Sequence, residues 1–380
     1  MNISYLKKFL TTIFLILIFV NIGGTIFYAN GIYTSFNYWE RFPALKKMYY
    51  DSIYANKKGK FIRDEYVYAF AAGSLLQGVS PILVNPEQPP LGKYLIAVSI
   101  LLFNNENFFT LVAGIGSLVL LYLLGKQVFS SSFLALLPVL LLSFESLYLN
   151  QFLITPLLDI LQLFFLLSFF LFFNKAENTS EYKKYFFLAN CMLGGFISVK
   201  FFGLGITLVA AALIVLFLRK NLQKLVWYLV TLLIAPVILL SMYIPVLFKG
   251  YPLQDFLGIQ KWIFLYNQGH ITKFFSFFPL FLFNKWYSWW DASIMSDDQW
   301  QITWPLSFIS FVIVLFFYAK YPQYRNKALN IVVYWTIFYI LILQMGYMSA
   351  RYFVILLPAL FLIMIYCLRT CVAMFWKARK

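Results

Sequence analysis

The chain is poor in charge, in histidine and in cysteine, and each shortage closes off a class of reading. Only 12% of its 380 residues are charged, while 62% are hydrophobic and 21% aromatic. So little polar sequence cannot cover the soluble cores that this much apolar sequence would build, and lipid must cover the rest. The single histidine, His270, reads as a surface loop residue rather than a catalyst or ligand. Of three cysteines, Cys191 lies in an apolar segment and Cys367 and Cys371 stand four apart in the last one, which suggests neither a disulfide framework nor a metal site. No internal repeat, inverted half-symmetry or low-complexity linker is visible. Acids are scarcer than bases, 14 against 30, for a net charge of +16. The basic residues are scattered between apolar stretches instead of lining one amphipathic face, so anchoring in an anionic membrane explains them and nucleic acid is not an expected partner.

What the chain does have is apolar stretches of spanning or near-spanning length, roughly at 7 to 28, 108 to 125, 131 to 149, 157 to 174, 185 to 199, 203 to 218, 225 to 248, 303 to 319, 328 to 346 and 352 to 374. Each must be helical, because unpaired backbone does not survive in lipid. The expectation is an all-α, polytopic integral membrane protein of about ten transmembrane helices, built as one membrane domain over 1 to 380. The first stretch, behind Lys7 and Lys8, is long enough to remain as an uncleaved anchor.

A further segment, 91 to 103, is short and follows Pro89 and Pro90. If it is embedded without crossing, Lys7 and Lys8, Lys126, Lys175 with Lys183 and Lys184, Arg219 with Lys220 and Lys224, Lys320 with Arg325 and Lys327, and Lys377 with Arg379 and Lys380 all fall on the cytoplasmic side. If it crosses, every later loop inverts. The first topology places both termini inside and leaves two long extracytoplasmic loops, 29 to 107 with juxtamembrane helices and 249 to 302. The second loop is rich in tryptophan (Trp262, Trp286, Trp289, Trp290 and Trp300, with Trp304 at its edge), as an interfacial belt would be.

With this orientation twelve of the fourteen acids lie at or beyond the outer face, Glu177 and Glu181 excepted. Asp64 and Glu65 open an amphipathic stretch, where a helix dipole would also favour them. Glu87 precedes the embedded segment and could be a solvated loop acid. Asp159 begins a helix that is otherwise an apolar run, and a carboxylate there is costly enough that it caps, pairs or works. Lys93, Lys200 and Arg351 map to the same boundary, either snorkelling or placed where the phosphate of a membrane lipid would sit.

The order of these motifs resembles one family. It comprises a first helix, an outer loop with Asp64-Glu65, then Pro89-Pro90-Leu91-Gly92-Lys93, an Asp159 opening a later helix, Lys200 after the pair Gly194-Gly195, and a late Arg351-Tyr352. The chain is similar over roughly 1 to 375 to the protein O-mannosyltransferases and their bacterial relatives, including the lipid A aminoarabinose transferases, all of the GT-C glycosyltransferase fold. It departs in carrying Gln88 where mannosyltransferases have His, and the apolar run Phe152 to Ile154 where an Arg is usual. The resemblance implies transfer of a hexosyl or pentosyl group from a polyprenyl-phosphate donor to an extracytoplasmic acceptor, a protein hydroxyl or an envelope lipid or glycan. Asp64 matches the catalytic carboxylate, with Glu65 positioning the acceptor or tuning Asp64. Glu87, Lys93, Asp159, Lys200 and Arg351 match substrate-binding positions, the three cations facing the leaving phosphate. Glu87 and Asp159 could share a divalent cation. A compact chain without a large lumenal domain points to a prokaryotic plasma membrane. A transporter or flippase of lipid-linked sugars and a non-catalytic family member remain the alternatives.

Overall fold

The computed structural model describes residues 3–55, 58–269, 274–288, 293–345 and 348–378. His270, Trp289 and Trp290 lie outside them. The described residues are mainly helical, as apolar sequence of this kind must be. The first third comprises α1 (Ile3–Tyr28), α2 (Asn30–Thr34), α3 (Tyr38–Tyr50), α4 (Asp64–Leu76) and α5 (Leu91–Phe103). Next come α6 (Phe108–Phe129), α7 (Ser132–Ser143), α8 (Ser146–Leu153), α9 (Leu158–Asn178), α10 (Tyr182–Val199), α11 (Gly205–Leu218), α12 (Leu222–Leu232), α13 (Ile234–Ser241) and α14 (Ile244–Phe248). The remainder holds α15 (Leu253–Gly269), α16 (Phe277–Phe283), a short antiparallel pair β1 (Trp286–Tyr287) and β2 (Ile294–Met295), α17 (Thr303–Lys320), α18 (Asn330–Leu343) and α19 (Phe353–Ala378).

Among the described residues six helical segments are long and apolar enough to cross a membrane: Tyr5–Tyr28, Phe108–Phe129, Leu158–Asn178, Leu222–Ser241, Thr303–Lys320 and Ala350–Trp376. A seventh is added if α7 and α8, bent by 63° at Phe144 and Glu145, form one broken span. The expected ten is therefore too many by this measure. Counting apolar residues overlooks where the backbone turns, and α11 and α18, at 14 residues each, reach only about 21 Å against a hydrocarbon core of roughly 30 Å.

The core is centred on α9 and α19, whose side chains are buried on nearly every face. Close packing around them rests on small residues. A Cβ on Gly195 would overlap the Phe165 ring, and one on Gly194 would stand 2.8 Å from Ile238. These glycines let α10 lie flush against α9 on one side and α13 on the other.

The contacts sort the helix ends into two groups. The starts of α9, α17 and α19 and the end of α10 share one end of the bundle, where Trp304 packs against Phe353 and Lys200 reaches Asp159. The end of α9 and the starts of α10 and α12 share the other, where Lys224 Nζ donates to the carbonyls of Ala176 and Glu177. Both ends of α5 sit at the first end. Gly92, near its start, lies against Leu158 and Val199. After its end, Asn105 Nδ2 donates to the Ile32 and Ser35 carbonyls, and Thr110 is bonded to Thr155 at 2.8 Å. The helix thus runs along that end of the bundle instead of traversing it.

Candidate active site

Four chain segments bring four charged side chains into one connected row. Asp159 is the second residue of α9, and its carboxylate is only 2% exposed. Lys200, the residue that ends α10, donates from Nζ to Asp159 Oδ1 at 2.5 Å and lies 5.1 Å over the Tyr352 ring. Arg351, in the short turn before α19, donates from Nε to Asp159 Oδ2 and from Nη1 to Asp64 Oδ2, both at 2.5 Å. Asp64 is the first residue of α4, where the helix dipole favours a carboxylate. A buried charge persists only when paired and hydrogen-bonded, and here two carboxylates and two cations cancel.

The row has a closed end and an open end. Lys200 and Asp159 are 10% and 2% exposed, against 24% for Arg351 and 31% for Asp64. Any substrate must therefore approach from the Asp64 side. Around Asp64 stand two phenols, Tyr54 at 3.4 Å from Oδ1 and Tyr68 at 3.4 Å from Oδ2. Burial pushes the Tyr68 hydroxyl well above its ordinary value, with the Asp64 charge adding to the shift, so Tyr68 stays a neutral donor. These tyrosines were not singled out in the sequence, although Tyr68 stands four residues after Asp64, the helical spacing that puts both on one face.

The other predicted site residues fall beside this row. Glu65 is buried and pairs with Arg63 at 2.5 Å, apart from the Asp64 to Lys200 row. Lys93 is fully buried, and its Nζ donates to the carbonyls of Asn85 at 2.5 Å and Gln88 at 2.8 Å. The sequence suggests that Lys93 faces a phosphate, whereas in the structure it ties down the 85 to 90 turn. Glu87, in that turn, accepts from the Asn85 side-chain amide, and burial raises its carboxyl above the usual range. The turn reaches the site because Gly92 packs on Leu158 and Val199, the neighbours of Asp159 and Lys200. Of the two acids expected to share a divalent cation, Asp159 has both oxygens on Lys200 and Arg351, and Glu87 has one oxygen on Asn85. Among the described residues no group of three or more His, Cys, Asp or Glu could hold a metal ion.

A further acid missed in the sequence is Glu145. It sits in the break between α7 and α8 and accepts from Trp304 Nε1 at 3.0 Å and Thr303 Oγ1 at 3.3 Å. Between Phe144 and Ser146 in the sequence it looks like an ordinary helix-end acid.

The helices make a multi-pass membrane protein, and its architecture is the GT-C glycosyltransferase fold. A family model, that of the dolichyl-phosphate-mannose-protein mannosyltransferases, matches residues 87–247. The archaeal oligosaccharyltransferase AglB from Archaeoglobus fulgidus, solved with an inhibitory peptide and a dolichol-phosphate, superposes with a TM-score of 0.53 at 14% identity, over 90% of this chain and 51% of that one. The apo form of the Archaeoglobus fulgidus oligosaccharyltransferase gives 0.50 at 14% identity, over 92% and 52%. ArnT from Cupriavidus metallidurans in the apo state gives 0.49 at 14%, over 80% and 54%. The chain thus spans about half the length of the solved structures it matches. No curated protein matches it by sequence.

Proposed function

We propose that the chain is a glycosyltransferase that moves a hexosyl or pentosyl group from a polyprenyl-phosphate donor to a hydroxyl of an extracytoplasmic acceptor. The observation that carries this reading is the Asp64 to Arg351 pair at the open end of a buried, charge-balanced row. It sets a carboxylate able to take a proton beside a guanidinium suited to a phosphate. The family model over residues 87–247 and the GT-C fold support the same class.

In the proposed step Asp64 accepts the proton of the acceptor hydroxyl as its oxygen attacks the anomeric carbon. The bond from that carbon to the phosphate oxygen breaks, its electron pair leaves with the polyprenyl phosphate, and Arg351 stabilises the charge that develops there. A single displacement of this kind inverts the anomeric centre. Lys200 acts from behind, fixing Asp159 and through it Arg351. The basic loops at the opposite end of the bundle fit the cytoplasmic face of a plasma membrane, which would leave the site outside.

The test is Asp64→Asn, reconstituted in vesicles with a polyprenyl-phosphate sugar. The loss expected on removing a general base is about 10²-fold or more. Transfer at the wild-type rate would overturn the base assignment.

A further inference from the structure

One oxygen of the carboxylate assigned as base is engaged by the guanidinium. Asp64 Oδ2 already accepts a charge-assisted bond from Arg351 Nη1 at 2.5 Å, and an oxygen held in this way is less available to the acceptor's proton. The guanidinium, by contrast, is anchored from the other side. Its Nε is bonded to Asp159, which is itself clamped by Lys200 in the closed end of the row. The Nη edge faces Asp64 and the Tyr68 hydroxyl, which Nη2 meets at 3.5 Å. A phosphate oxygen entering from the open side and the Asp64 carboxylate compete for the same edge.

We infer that the donor phosphate displaces Asp64 from Arg351, so that donor binding itself unmasks the base. Arg351 keeps its Nε bond to Asp159 throughout, and only the Nη edge changes partner. Asp64 stays in place on Tyr54 and Tyr68, whose hydroxyls already reach its two oxygens. Total charge is conserved through the step. The four side chains are neutral together and the bound phosphodiester brings one negative charge; as Asp64 becomes neutral by taking the acceptor's proton, the leaving polyprenyl phosphate gains a second negative charge. Without donor, Asp64 Oδ2 stays bonded to Arg351. Tyr68 is then a positioning residue for Asp64.

This inference rests on the function proposed above, and the experiment separates the two. Purified wild type, Asp64→Asn, Arg351→Lys and Tyr68→Phe are titrated with a polyprenyl-phosphate sugar in detergent, with tryptophan fluorescence as the readout, and are assayed for transfer in parallel. Melting curves confirm that each variant is folded. An asparagine cannot compete as an anion for Arg351, so Asp64→Asn should bind donor about tenfold more tightly while losing transfer. Arg351→Lys should bind it more weakly, and Tyr68→Phe should lower kcat with KM for donor unchanged. If folded Asp64→Asn binds donor no more tightly than an active wild type, the exchange is overturned and the transferase reading stands. If wild type neither binds nor turns over the donor, the transferase reading itself falls.

Discussion

Where α9 begins, Asp159 is buried and clamped between Lys200 and Arg351; where the same helix ends, Lys175 lies 6.0 Å over Phe172 and 5.5 Å over Tyr185, and Lys183 lies 4.4 Å over Trp227. One helix therefore carries two treatments of charge. At its start ionic groups are withdrawn from solvent and satisfied by each other, an arrangement that costs several kcal/mol of desolvation per ion and is kept only where it has a use. At its end Glu177 pairs with Arg219 at 3.3 Å, and the lysines around it stay exposed or half-exposed and rest their stems on aromatic rings, as cations do at a headgroup surface. The charge to which the proposed function gives chemistry belongs to the paired row, and the charge to which it gives membrane orientation is the exposed kind.

Substitutions at the two ends should differ accordingly. Asp159→Asn has the largest expected effect on the fold, because it leaves Lys200 and Arg351 buried without their shared counter-charge. Losing one partner of a buried pair costs about 3–5 kcal/mol, seen as a large fall in melting temperature in detergent. A variant that melts like wild type would show that the row is not a stabilised unit. Gly195→Ala comes next, since the added Cβ overlaps the Phe165 ring and must push α10 off α9. Overpacking of this kind costs about 1–3 kcal/mol. It should also reduce transfer beyond the loss of folded protein, because Lys200 ends the helix that is displaced.

The third prediction concerns the buried turn beside the row. Burial raises the Glu87 carboxyl above its ordinary value. A group with a raised folded-state value holds its proton more tightly when folded, so stability falls as pH rises from the ordinary glutamate range through the folded-state one. Glu87→Gln removes this titration. Melts taken from the ordinary glutamate range upward should show the variant gaining on wild type by about 1.4 kcal/mol per pH step of one across that interval, then levelling off above it. A gap that stays constant across the range would show that Glu87 is not held in this way.

The sequence exposed the individual members of the row, because a charge beside an apolar run is expensive and therefore conspicuous. Asp159, Lys200 and Arg351 stand out on that ground, and Asp64 stands out through its pairing with the Pro89 to Lys93 motif. Their pairing was not legible, since Asp64 and Arg351 are 287 positions apart and nothing local says that they meet. The partners of Lys93 were not legible for a related reason. A basic residue at a helix start reads as exposed, and only the backbone path of the 85 to 90 turn brings two carbonyls onto its Nζ. Helix breaks were hidden too, because hydropathy runs smoothly through Phe144 while the backbone turns by 63° there.

The smallest expected effect lies at the far end and is the sharpest check on the contrast. Lys183 is exposed, stands on the first turn of α10 and makes one ring contact, with Trp227. An exposed cation over an aromatic face is worth about 0.5–1 kcal/mol. Lys183→Ala should therefore lower the melting temperature slightly and leave the transfer rate of reconstituted protein unchanged. Lys183 and Lys200 sit at opposite ends of α10, 17 residues and about 25 Å apart along the axis, so no direct field links the first to the row. If Lys183→Ala cut transfer as deeply as a change in the row, the charges at the two ends would have to be coupled through α10, and the division between chemical and orienting charge would fail.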